Sequence, residues 1–152
     1  EFGVSGLQVD VRTEIRREEL TETGRRDFRH RISEHNLTIS GAIFPLNQPL
    51  YEQSGIDARV VAMREAMKFS YAIGAQTLCF RVGQIPTDEA SNDRKLLLEV
   101  LGDLARYANH IGTQLAVTPT NDSADAQHQF FRRRFHTDFL RNFRLIRSEQ
   151  EA

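Results

Sequence analysis

The sequence predicts an α/β fold, a partial (β/α)8 TIM barrel of about four parallel strands alternating with helices, followed by a basic amphipathic helix. Three observations lead there. Four short apolar runs, at 7–11, 37–44, 77–82 and 114–118, alternate with three segments of helical periodicity. Each unit has roughly the 30 to 40 residues of one βα repeat, in a barrel that needs about 250 residues in all. Two helix-to-strand joints also look alike, Ile73-Gly74-Ala75-Gln76 and Ile111-Gly112-Thr113-Gln114. Glycine suits such a joint because it enters the left-handed conformation at little cost. An open doubly wound sheet is the alternative architecture, since it needs no closure.

The run Leu7–Val11 follows Gly3 and Gly6 and reads as the first strand. A helix over about 21–35 carries a thin apolar stripe, Phe28 and Ile32, among many arginines. That suits a helix on the outside of a barrel, with one narrow face inward. The second strand, Leu37–Phe44, is ended by Pro45, which cannot donate to a ladder. Val60, Met63, Met67 and Tyr71 recur at helical spacing over 57–73, and Gly74 is placed as the C-terminal cap. Thr77–Val82 is the third strand. The strongest helix, 93–111, buries Leu97, Val100, Leu101, Leu104, Ala108 and Ile111, and Gly112 closes it. Gln114–Thr118 is the fourth strand, stopped by Pro119.

At 152 residues the chain can bury one core. Its 39% apolar and 27% charged residues match a soluble globular protein. A net charge of −1 makes no case for nucleic acid or an anionic membrane, and no apolar run is long enough for a membrane span. Cys79 is the only cysteine, which excludes an internal disulfide and a cysteine-built zinc site. No signal-peptide pattern occurs, so a cytoplasmic location is expected. The start, Glu1-Phe2-Gly3-Val4, reads as a piece of something longer.

From about Gln127 the character changes, which divides the chain into a barrel part, 1–123, and a tail, 124–152. Residues 128–147 hold six arginines, no lysine and one acid, Asp138. Phe131, Phe135, Phe139 and Phe143 fall four apart and Ile146 continues the stripe, which predicts a basic amphipathic helix with no strand after it. Three roles stay open for it: a membrane-surface or nucleic-acid helix, a cover for the open end of the half-barrel, or a tail with no selected role.

The C-terminal ends of barrel strands surround the active site. That makes Asp10, Arg12, Phe44, Arg81, Thr118 and Asn121 the candidate substrate-binding residues. A guanidinium at a strand end, Arg81, can hold a phosphate or carboxylate bidentately, or it can pair with Asp10. His30, His35 and His110 lie on helices, away from the rim, and His128 and His136 lie in the tail. No phosphate loop, dinucleotide loop, nucleophile elbow or zincin helix occurs. The sequence assigns no catalytic residue and no metal ligand.

The segments Gly6-Leu7-Gln8-Val9-Asp10-Val11-Arg12, Glu19-Leu20-Thr21-Glu22-Thr23-Gly24-Arg25-Arg26, Phe44-Pro45, Ala72-Ile73-Gly74-Ala75, Arg81-Val82-Gly83 and Leu115-Ala116-Val117-Thr118 carry a resemblance. In their order they resemble the xylose isomerase-like TIM-barrel family, nearest its sugar phosphate isomerase/epimerase branch, over about 6–123. The resemblance makes these strands the second to fifth of the barrel. It implies an acidic strand-end residue at Asp10, a position at Arg81 where many members have histidine, and a common glycine at Gly83. Thr118 stands where metal-dependent members have a glutamate ligand. The full-length family implies a divalent metal whose ligands are not evident in this chain. The expectation is a fragment of an isomerase or epimerase, inactive alone, with a sugar or sugar phosphate as ligand. The alternative is a non-catalytic half-barrel that binds a partner or self-associates through its exposed sheet edges.

Overall fold

A computed structural model describes residues 3, 5–118, 129–131 and 143–145. Four strands alternate with three helices: β1 (Gly6–Asp10), α1 (Glu22–Glu34), β2 (Thr38–Ile43), α2 (Ile56–Ile73), β3 (Thr77–Phe80), α3 (Asn92–Ile111) and β4 (Gln114–Val117). A fifth strand, β5 (Phe143–Leu145), follows. All are parallel neighbours in the order β1-β2-β3-β4-β5. That is sequential winding in one direction, as in a barrel. A doubly wound sheet would reverse its strand order at a switch point.

The expectation that no strand follows the basic segment is corrected by β5. Leu115, Ala116 and Val117 pair with Phe143, Arg144 and Leu145. Phe143 therefore belongs to a strand, and the helical stripe does not run through it. A parallel partner needs a crossover of a dozen or more residues, and 118–142 supplies that length. Within it, residues 129–131 are helical, and Phe130 and Phe131 are buried in the same core as β3 and β4. Phe135, Phe139 and Ile146 lie outside the described residues.

Side-chain alternation divides the sheet into two faces. Val9, Ala42, Leu78 and Leu115 share one row, with Phe80 and Val117 two positions further on. All six are buried, against Met63, Met67, Leu97, Leu101 and Leu104 of the helices. The opposite face carries Gln8, Asp10, Ile43, Cys79 and Ala116. This is the concave side that a barrel turns toward its axis.

The helices sit as their patterns predict, apart from Ile111, which is only partly buried, and Tyr71. Thr21 and Ser91 cap α1 and α3, each accepting a hydrogen bond from a backbone N–H in the first turn. Gly74 and Gly112 end α2 and α3 with φ of 96° and 78°. The residues after them, Ala75 and Thr113, donate to Ser70 and Ala108 in the same way, so the two similar joints are also alike in bonding. Tyr71 departs from expectation. It is 55% exposed, because Ala66, Phe69, Ser70 and Ile73 shift the buried face of α2 away from it.

Candidate functional site

The strand ends form a rim held by loop-to-loop bonds. Leu50 donates its N–H to the Val82 carbonyl at 2.8 Å, and the Tyr51 hydroxyl donates to Gln84 at 2.7 Å. Gly83 adopts φ +92°, and a Cβ there would lie 2.8 Å from the Cβ of Pro49. Only glycine fits between these loops, so the glycine after β3 fixes the shape of the rim.

Asp10 closes β1 and builds the turn beyond it. Its Oδ1 accepts from the backbone N–H groups of Arg12 at 2.7 Å and Thr13 at 2.9 Å. Partial burial opposes ionisation. The hydrogen bonds from Thr13 and Arg12 outweigh it, helped by the Arg12 charge, and hold the carboxyl below its usual range. This carboxylate is occupied by structure.

Arg12 and Phe44 leave the rim. Phe44 follows Ile43 and so points to the helical side, where it is buried. The Arg12 guanidinium lies over the Phe44 ring at 5.4 Å and donates to the Pro45 carbonyl. Both line a cleft of about 410 Å³ between the β1–α1 loop and α2, outside the sheet.

Arg81 stays. It follows β3 directly, is exposed, and makes no ion pair or hydrogen bond among the described residues. Its alternative partner, Asp10, stands two strands away, about 10 Å across the ladder, and is engaged elsewhere. Thr118 ends β4, and both its N–H and its hydroxyl donate to the Phe80 carbonyl, at 2.9 and 3.1 Å. The hydroxyl oxygen keeps its lone pairs for a ligand donor. Asn121 lies outside the described residues. Arg81 and Thr118 thus end neighbouring strands of the rim, while Asp10 lies two strands away from Arg81.

Cys79 lies on the concave face, buried, its sulfur accepting from Gln8 Nε2 at 3.3 Å. Burial raises the thiol above its ordinary value, which the Gln8 bond only partly offsets, so it is a poor nucleophile at neutral pH. Sequence reading missed the Gln8–Cys79 contact. Its one signal was period-two placement on neighbouring strands, which does not give register.

A divalent cation does not fit the described rim. Such an ion takes several oxygen ligands, and the two carboxylates at the end of β1, Asp10 and Glu14, both already accept backbone N–H groups. No group of three acidic, histidine or cysteine side chains comes together among the described residues.

Parallel sequential strands, crossover helices and a strand-end rim define one part of a (β/α)8 barrel. Solved structures match on that ground. A xylose isomerase domain protein from Planctomyces limnophilus superposes with a TM-score of 0.78 at 18% identity, over 93% of this chain and 53% of that one. An L-ribulose 3-epimerase gives 0.67 at 13%, over 94% and 50%. A xylose isomerase-like TIM barrel protein from Mycobacterium smegmatis, in complex with magnesium, gives 0.67 at 14%, over 94% and 51%. The chain has the fold of part of a xylose isomerase-like TIM barrel and spans about half the length of these structures. No protein-family model matches the sequence, and no curated protein matches it.

Proposed function

We propose that this chain supplies a substrate-positioning part of a sugar isomerase/epimerase-type barrel, and that it is inactive alone. The observation that carries the reading is Arg81, an exposed guanidinium at the strand-end rim with no partner among the described residues. A sugar phosphate presents the anion such a fork binds bidentately, while the Thr118 oxygen is a ready acceptor for a sugar hydroxyl. The likeness in fold to an L-ribulose 3-epimerase favours sugars over other anions. Isomerisation or epimerisation moves a proton beside a carbonyl and needs a free base near the reacting carbon. The carboxylates at the end of β1, Asp10 and Glu14, are both tied to backbone N–H groups of that turn, which is the reason for proposing inactivity.

Calorimetric titration with D-ribulose 5-phosphate and with D-ribulose tests this. The phosphorylated sugar is expected to bind more tightly, with at least a tenfold loss in Arg81→Ala and partial recovery in Arg81→Lys. Equal binding by wild type and Arg81→Ala would remove Arg81 from the role. Turnover with added Mg²⁺ or Mn²⁺, lost in Arg81→Ala, would contradict the inactivity.

A second reading keeps the same fold without a ligand: a half-barrel that associates through its strand edges. Among the described residues the outer edge of β1 has no strand partner, which favours it.

A further inference from the structure

The concave face of the sheet is open on the side of β1 and β2. Cys79 on β3 and Ala116 on β4 are 3% and 1% exposed, whereas Gln8 on β1 is exposed and Ile43 on β2 is 36% exposed. The Gln8 side chain crosses β2 to reach Cys79, since β1 and β3 stand about 10 Å apart. It lies there because β2 carries Gly41 opposite Gln8. A Cβ at Gly41 would meet the Gln8 Nε2 at 3.8 Å and the Cys79 sulfur at 3.9 Å, so a longer side chain would take the place of the amide. Nε2 is engaged by the sulfur at 3.3 Å. The amide oxygen accepts no hydrogen bond among the described residues and keeps both lone pairs.

We infer that Gln8 is a second ligand-contacting residue, whose amide oxygen accepts from a hydroxyl of the sugar phosphate held at Arg81. The inference rests on the function proposed above and adds to it the length of the ligand. Cys79 precedes Arg81 by two residues, which puts both on one face of the strand, about 7 Å apart along it. The Gln8 amide, held at the Cys79 sulfur, therefore lies at the foot of the rim below Arg81, with the partly exposed Ile43 beside it. A three-carbon sugar anchored by its phosphate at Arg81 stops short of the amide. A five-carbon sugar carries its far hydroxyls past Ile43 to the amide oxygen. The two polar contacts together select for sugar length, which Arg81 alone cannot do.

Calorimetric titration of the full chain with D-ribulose 5-phosphate, dihydroxyacetone phosphate and inorganic phosphate tests this. The five-carbon ligand is expected to bind most tightly to wild type. Gln8→Leu keeps the bulk and removes the amide. It should weaken the five-carbon ligand about three- to tenfold, the range of one neutral hydrogen bond, and leave the other two unchanged. Arg81→Ala should weaken all three. Should Gln8→Leu fail to fold, Gln8→Ala serves in its place with the same expected pattern. Equal weakening of all three ligands by the Gln8 variant would make Gln8 a structural residue and overturn the inference. So would five-carbon binding that needs Arg81 and is indifferent to Gln8, which leaves the Arg81 reading standing. Binding indifferent to Arg81→Ala, or no binding of any of the three, would overturn the Arg81 reading and this inference with it.

Discussion

Asp10 combines a structural duty with a titratable charge, and the two are separable by mutation. Its carboxylate accepts two backbone N–H groups that close the turn after β1. Removing the acceptor in Asp10→Ala should cost about 1–2 kcal/mol, whereas Asp10→Asn keeps an oxygen in place and should cost less. Thermal melts compare the two. The sign of the pH effect follows from the lowered folded-state pKa. The ionised form is favoured by folding, so its contribution is present above the ordinary carboxylate value and is lost as pH falls through the folded one. Wild type should lose more stability than Asp10→Asn between pH 5 and pH 2, and parallel losses would show that the carboxylate charge does not hold the turn. At this scale the sequence marked Asp10 and Arg81 as strand-end residues. It could not tell which was free, because that depends on the turn after β1 closing locally. Phe44 and Arg12 read as rim residues for a similar reason. Strand ends are visible in sequence, but a shift of one position turns a side chain to the other face.

The elements repeat one device, a strand, a loop and a helix that returns through a left-handed residue: Asn36 after α1, Gly74 after α2 and Gly112 after α3. The C-terminal stretch extends it. Phe131 is 1% exposed and sits in the same core as Leu97, Leu115 and Val117. Truncation by Phe131→Ala should cost about 3–5 kcal/mol, a large share of an ordinary domain's stability, read as the shift in a urea midpoint. A shift under about 0.5 kcal/mol would mean the segment contributes nothing to the barrel core. The three helices and four strands were legible because their apolar spacing persists over many residues and glycine or proline ends them. β5 was not. Three residues are too few to display a period of two, and Phe143 also falls four residues after Phe139, where a helical stripe would put it. Tyr71 failed differently: it fits the spacing of Val60, Met63 and Met67, but the helix turns toward Phe69 and Ile73.

On the scale of the whole molecule, the five parallel strands of the described residues wind one way, with helices on one face and a mixed polar face on the other. No helix of the described residues is long and apolar enough to cross a membrane. Ligand chemistry is expected to be confined to the C-terminal rim of that sheet. Backbone amide NMR during titration with D-ribulose 5-phosphate measures this most directly. Shifts should concentrate at Asp10, Arg81, Gly83 and Thr118. The opposite ends of the strands, at Gly6, Thr38, Thr77 and Gln114, should stay still. Shifts centred on the cleft beside α2, or none at millimolar sugar phosphate, would contradict the account.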